Sequence, residues 1–337
     1  MARIIDLRSD TVTKPSQNMR RIMSQAKTGD DVYGEDPTVN QLEKYAAELL
    51  DKEAAIYCPS GTQSNLVGLL SHCGRGDEYI VGSAAHTYLY EGGGAAVLGS
   101  IQPQPLPLKE DATMDLELLE ASIKPKDVHF ARTRLICLEN THGGQALPSG
   151  YTQAVKSIAD KYGLAMHLDG ARLFNAVVDT QLSAAELAAD FDSISICLSK
   201  GLGAPVGSLL VASKAIIDEA RHWRKMLGGG MRQAGIIAAA GLYALQNNVE
   251  RLSEDHQRAQ QLADSLMNID GIVVHRGKAH TNMLYVDVDT ERKKQLNVLA
   301  KKRGILLPEG NSMRLVCHLD INDEDIKSII NLFKETV

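Results

Sequence analysis

The chain has 337 residues, which at about 100–200 residues per domain predicts two domains, or one large domain with an appendage. Its formal net charge of −6 offers no basic surface for nucleic acid or an anionic membrane. With 44% hydrophobic and 23% charged residues the chain is composed like a folded protein, and aromatics at 4% leave a mostly aliphatic core.

Taken in chain order, residues Met1 to Asp10 carry charges where a secretory signal needs an apolar run. Short aliphatic runs predict strands at Ala54–Cys58, Glu78–Val81, Arg134–Leu138, Leu164–Leu168, Ser193–Leu198 and Ser208–Val211. Helical patterns fall between them at Gln63–His72, Tyr151–Tyr162 and Ala184–Ala189. This alternation predicts an α/β layer with a mostly parallel sheet. The most apolar helical stretch, Gly235–Leu245, falls well short of the about 20 residues a membrane span requires and reads as a buried helix. Beyond residue 247 the pattern changes. A charged helix over Val249–Met267 precedes alternating stretches at Gly271–His275, Asn282–Val288 and Ser312–Cys317, with helices at Thr290–Arg303 and Asp323–Phe333. The expected division is an arm over 1–15, a large domain over 16–247 and a smaller α+β domain over 248–337. Five cysteines (Cys58, Cys73, Cys137, Cys197 and Cys317), odd in number and without C-x-x-C spacing, predict a reducing, cytoplasmic setting with neither disulfides nor a zinc ribbon.

Ligands of open α/β sheets sit beyond the carboxyl ends of the strands, so the polar residues there are the candidates. Ser60-Gly61-Thr62 follows a strand and opens a helix, which suits a phosphate and equally suits a plain capping turn. His86 follows the next strand, as a packing residue or as a flat ring placed to stack on another. Asp169 ends an aliphatic strand, where a carboxylate has to be paired. Its partner is either Arg172 or the protonated nitrogen of a cofactor pyridine. His167 and Asp169 have metal-like spacing, but no nearby cluster completes a set, so no metal is expected. Lys200, framed by Ser199 and Gly201, is either a turn lysine or a desolvated amine able to attack a carbonyl. Gly201, Gly203 and Gly207 run into a strand and not a helix, which argues against a dinucleotide fingerprint. Together the four signals read as phosphate cup, stacking ring, pyridinium partner and Schiff-base lysine, the set that pyridoxal 5′-phosphate (PLP) needs.

These residues lie in longer motifs. They are Asp6-Leu-Arg-Ser-Asp-Thr-Val-Thr13, Gly29-Asp-Asp-Val-Tyr-Gly34, Ser60-Gly-Thr62, Ala85-His86, His167-Leu-Asp-Gly-Ala-Arg172, Leu198-Ser-Lys-Gly-Leu-Gly203 and Gly228-Gly-Gly-Met-Arg232. Over nearly its full length the chain resembles the low-specificity L-threonine aldolases, fold-type I (aspartate aminotransferase-like) PLP enzymes. The resemblance implies retro-aldol cleavage of L-threonine or L-allo-threonine to glycine and acetaldehyde. Another fold-type I lyase or an aminotransferase acting on a small amino acid is the alternative. It also implies roles. Lys200 would carry the cofactor, Asp169 would face the pyridine nitrogen and His86 would stack on the ring. Ser60, Gly61 and Thr62 would hold the phosphate, with Arg232 of a neighbouring subunit. Arg172 would lie near the cofactor's phenolic oxygen and the substrate, and Ser9 and Arg314 would hold the substrate carboxylate. His129 would approach the β-hydroxyl, and Tyr33, Tyr90 and Lys225 would complete the pocket, some across an interface of a homotetramer.

Overall fold

The computed structural model describes residues 3–336. Twelve strands organise it: β1 (Ile5–Asp6), β2 (Ala54–Cys58), β3 (Asp77–Gly82), β4 (Gln102–Leu106), β5 (Arg132–Glu139), β6 (Ala165–Gly170), β7 (Ser193–Cys197), β8 (Ser208–Ala212), β9 (Ile272–Val274), β10 (Met283–Val288), β11 (Ile305–Leu306) and β12 (Ser312–Val316). Seven of them form one sheet in the order β2-β8-β7-β6-β5-β3-β4. All its pairings are parallel except those of β8, which runs antiparallel to both β2 and β7. The fold is the expected α/β layer. Strands β2, β3, β7 and β8 are buried throughout or nearly so, as helices on both faces require.

Strand β4 has no aliphatic signature, since its sequence is Gln-Pro-Gln-Pro-Leu. It pairs with β3 alone at the sheet edge, where proline's missing N–H costs no ladder bond to an inner neighbour. The remaining strands form a three-stranded antiparallel sheet, β12-β10-β9, and the pair β1-β11. One core joins residues from Met19 to Leu252 around the large sheet. A second joins the stretch from Ala259 to Phe333 with Ile5 and Leu7. The arm is thus woven into the C-terminal core: β1 runs parallel to β11, and the Leu7 carbonyl accepts from the Val316 N–H. Asn282 ties the two parts together. Its Oδ1 accepts from Asn175 at 3.0 Å, and its Nδ2 donates to the Cys317 carbonyl at 3.0 Å.

The glycines after Lys200 serve this geometry. Gly207 enters β8 at φ +110°, and a Cβ there would stand 2.3 Å from the Tyr57 hydroxyl. Gly207→Ala is therefore expected to lower stability by about 2 kcal/mol or more, read as a lower urea-unfolding midpoint. An unchanged midpoint would show that Tyr57 can move aside.

Candidate active site

Neighbouring strands β5 and β6 end side by side, with Glu139 and Asp169 as direct register partners, so two carboxylates meet at the carboxyl edge of the sheet. Asp169 is 1% exposed. Its Oδ1 accepts from the Ala171 N–H at 3.1 Å and its Oδ2 from Asn65 Nδ2 at 2.9 Å. Burial pushes its carboxyl up to about 6, the Glu139 and Glu91 charges push the same way, and Lys200 and His86 oppose them. An acid held there in its charged form makes no ion pair within 4.0 Å among the described residues, the Lys200 and His86 charges acting from farther off.

Nor does Arg172 pair with it. The Arg172 guanidinium grips Asp10 with two bonds, Nε to Oδ2 at 2.8 Å and Nη2 to Oδ1 at 2.7 Å. Burial alone would raise the Asp10 carboxyl. The Arg172 charge and hydrogen bonds, helped by Lys200 and His318, hold it at about 2. The ion-pair alternative for Asp169 is thereby excluded, and the N-terminal arm is tied to the site. Ser9 caps the short turn that carries Asp10, its Oγ accepting from the Thr11 N–H at 3.2 Å. Thr13 donates its hydroxyl to the Lys200 carbonyl at 2.9 Å. Lys200 sits half-buried in the turn after β7, and its amine meets no carboxylate among the described residues.

Ser60 caps the helix Gly61–His72, accepting from the Gln63 N–H at 3.1 Å. The first N–H groups of that helix, those of Gly61 and Thr62, have no intrahelical acceptor and suit an anion. The buried Ser208 hydroxyl makes no hydrogen bond among the described residues, and a Cβ on Gly61 would stand 3.5 Å from it. An orphaned hydroxyl beside free N–H groups fits a phosphate, as a buried carboxylate without a close ion pair fits a pyridinium. The glycine loop before Arg232 is seated on the same helix, since a Cβ on Gly229 would overlap Gln63.

His86 opens the short helix His86–Leu89. Its N–H donates to Glu139 Oε2 at 2.7 Å, and its Nδ1 lies 2.9 Å from Glu91 Oε1. That hydrogen bond raises its proton affinity. His142 pairs likewise with Glu139 Oε1, at 3.0 Å, which raises its proton affinity too. Asn65, Glu91, Glu139 and His142 join the site with no role expected for them from sequence. Glu139 ends a recognised strand and was legible there; the others lie in a helix or in loops and have no local signal. His86, Glu91 and Asp169 bring one ligand atom each within 4.8 Å of one another. Asn65 donates to both carboxylates, however, and an N–H donor stands where a cation would bind.

A family model described as Beta-eliminating lyase matches residues 6–289. The chain is 55% identical over 326 residues to the low specificity L-threonine aldolase of Escherichia coli O157:H7, covering 97% of each. It is 44% identical over 346 residues to low-specificity L-threonine aldolase 1 of Arabidopsis thaliana, covering 99% of this chain and 97% of that one. The chain belongs to the low-specificity threonine aldolase family of lyases. Among solved structures, Leishmania major threonine aldolase superposes with TM-score 0.84 at 19% identity, covering 98% and 99% of the two chains. A structure of SPT with a PLP internal aldimine superposes at 0.76 and 16%, covering 99% and 87%. The fold is thus shared by chains of widely different sequence.

The other candidate residues of this threonine aldolase family member make no hydrogen bond or ion pair with Asp169 or Lys200 among the described residues, though the Tyr90 ring lies 5.7 Å from that of His86. Arg314 is half-buried on β12 and pairs with no carboxylate among the described residues. Its cross-strand partner Tyr285 donates to the Gly143 carbonyl at 3.2 Å, which seats the small sheet against the loop after β5. His129 is on an exposed turn, its Nδ1 2.6 Å from Asp127 Oδ1. It precedes the eight-residue β5, whose far end carries Glu139. At about 3.3 Å per residue the whole strand separates His129 from the centre of its own chain. Tyr33 and Tyr90 are 76% and 68% exposed, and Lys225 is exposed on the helix Lys214–Met226. Arg232 pairs with Asp30 at 3.0 Å. The motif around Tyr33 is anchored by a buried pair, Arg224 with Asp31 at 2.7 Å.

Proposed function

We propose that the chain cleaves L-threonine, L-allo-threonine and related β-hydroxy-α-amino acids to glycine and an aldehyde, with PLP as cofactor. The single observation that carries the reading is the convergence of an unpaired buried Asp169, an unengaged Lys200 amine and an open helix N-terminus, in a chain 55% identical to a named low specificity L-threonine aldolase. Bound PLP would supply the electron sink that takes up the Cα–Cβ bonding pair.

The chain's own residues do the rest. Lys200 would hold the cofactor through its side-chain amine, the one nucleophilic nitrogen that the turn after β7 offers. Asp169 keeps the ring nitrogen protonated. Gly61 and Thr62 bind the phosphate through their N–H groups, with Ser60 shaping the turn and Arg232 of a second copy assisting. His86 lies against the ring. Ser9 and Arg314 hold the substrate carboxylate, which orients the bond to be broken. Arg172 is set between arm and site by Asp10 and keeps one guanidinium nitrogen, Nη1, for the cofactor or substrate. The β-hydroxyl proton passes to a base, either His86 backed by Glu91 or His129 of a second copy.

The distance of His129 from its own centre and the exposure of Tyr33 and Lys225 support shared sites in a homo-oligomer, a dimer of dimers. We assign the cofactor to residues 16–247 and carboxylate capture to 248–337 with the arm 1–15. The five unpaired cysteines favour the cytoplasm, and no helix among the described residues is long and apolar enough to cross a membrane.

Purified protein supplied with PLP is expected to release acetaldehyde and glycine in equal amounts from both L-threonine and L-allo-threonine. Release of ammonia with a 2-oxo acid instead would mark a β-eliminating lyase and overturn the aldolase reading.

A further inference from the structure

Proteins rarely bury a row of polar side chains between a helix and a sheet without a use for it. Here the helix Gly61–His72 presents Asn65, Gly68 and His72, spaced three and four apart on one face. Opposite stand His167 and Asp169, alternate residues of β6, and Ser193 of β7. Asn65, His167, Asp169 and Ser193 are 0–2% exposed. The contacts form one chain. Asn65 Nδ2 donates to Glu91 Oε1 at 2.8 Å and to Asp169 Oδ2 at 2.9 Å. Asn65 Oδ1 lies 3.2 Å from His167 Nε2. His167 Nδ1 lies 2.8 Å from Ser193 Oγ, which lies 2.8 Å from His72 Nε2. Gly68 makes the room: a Cβ there would stand 2.8 Å from His167 Cε1. A glycine in mid-helix is otherwise unfavourable.

Donor logic sets the direction of every bond. Two carboxylates take both Asn65 N–H groups, so its oxygen has to accept, and His167 has to carry its proton on Nε2. His167 Nδ1 then accepts from the Ser193 hydroxyl, whose oxygen accepts from the His72 Nε2–H. Reversing the chain would turn the Asn65 oxygen toward both carboxylates and require each of them to be protonated. Burial, with His72 nearby, holds the His167 imidazole down at about 3, so the ring stays neutral as the chain requires.

We propose that His72, Ser193, His167 and Asn65 form a one-way donor chain that positions Asp169 and keeps its carboxylate ionised for the cofactor's ring nitrogen. All four are positioning residues. The inference rests on the PLP reading above.

The groups facing Asp169 are Glu139, Glu91, Lys200, His86 and His142, and the titratable group facing His167 from the helix is His72. None of the first five is altered by changes at His167 or Ser193. With the chain cut, Asp169 binds its proton more tightly. The ion pair to the ring nitrogen is then lost at higher pH as acid is added.

The test is PLP uptake by full-length protein, followed by visible absorbance between about pH 5 and pH 9. Wild type, His167→Leu, His167→Gln and Ser193→Ala are compared. The pH at which affinity falls is expected to rise by about one unit in His167→Leu, a tenfold loss at a fixed pH on the falling limb. It should return close to wild type in His167→Gln, whose amide N–H replaces the Nε2 donor. Ser193→Ala, which removes one oxygen, should move it in the same direction by less. A His167→Leu profile that matches wild type, equal displacement in the Leu and Gln variants, or an unmoved Ser193→Ala profile overturns the proposal. If His167→Leu does not fold, Ser193→Ala decides alone. Wild-type protein that takes up no PLP overturns the cofactor reading and this inference with it.

Discussion

Lys200→Ala is expected to abolish both the visible absorbance of bound cofactor and the release of acetaldehyde. The rate should fall by about 10³-fold or more, as when an enzyme loses its nucleophile. The structure makes this substitution unusually clean. What holds the Lys200 turn is its carbonyl, which accepts from the Thr13 hydroxyl at 2.9 Å and from the Gly203 N–H at 2.9 Å. Alanine keeps that carbonyl, and the lost amine leaves no carboxylate unpaired. The urea-unfolding midpoint should therefore stay within error of wild type while activity disappears. An enzyme that keeps both its colour and its aldehyde release without Lys200 would rule out the assigned role.

Asp10→Ala is expected to cost the most stability, about 3–5 kcal/mol, because it strands the Arg172 guanidinium in a nearly dry site. The pH dependence follows from the Asp10 carboxyl. It titrates at about 2 in the folded protein against an ordinary 3.8, so the unfolded chain binds that proton more tightly than the folded one. The stabilisation is complete above about pH 4 and fades as the pH falls toward 2. Urea midpoints of wild type and Asp10→Ala should thus lie far apart at neutral pH and converge through that window. A gap that persists unchanged to about pH 2 would show that Asp10 acts through packing and not through its charge. Activity should fall as well, since Asp10 fastens the arm bearing Ser9 to the site.

Much of the candidate site could be read without coordinates, and the reason is geometric. A parallel sheet collects the residues that follow its strands along one edge. Asp169 after β6, Lys200 after β7 and Ser60–Thr62 after β2 were therefore marked by the aliphatic runs preceding them. Helix limits set by strong local signals also came through, as with Tyr151–Tyr162, which glycines flank on both sides, and Thr290–Arg303, capped by Asp289 and ended by Gly304. Strand β4 did not, because its prolines hide an edge strand behind the composition of a loop. The arm over 1–15 reads as an extension in sequence, yet two of its aliphatic side chains complete the C-terminal core.

Alternation of strand and helix, the residues ending each strand and the motif match determined the fold class, the family and the core of the candidate site, since each depends on neighbours within a few residues. Partner choice belonged to the tertiary structure. Whether Asp169 met Arg172 was settled by Asp10, 162 residues away from Arg172 in sequence. The duties of Asn65, Glu91 and His167 emerged only when a helix was laid across β6 and β7. Hydrogen bonds between side chains are specific within a few tenths of an ångström, and nothing local in a sequence encodes which distant groups the fold brings within that reach.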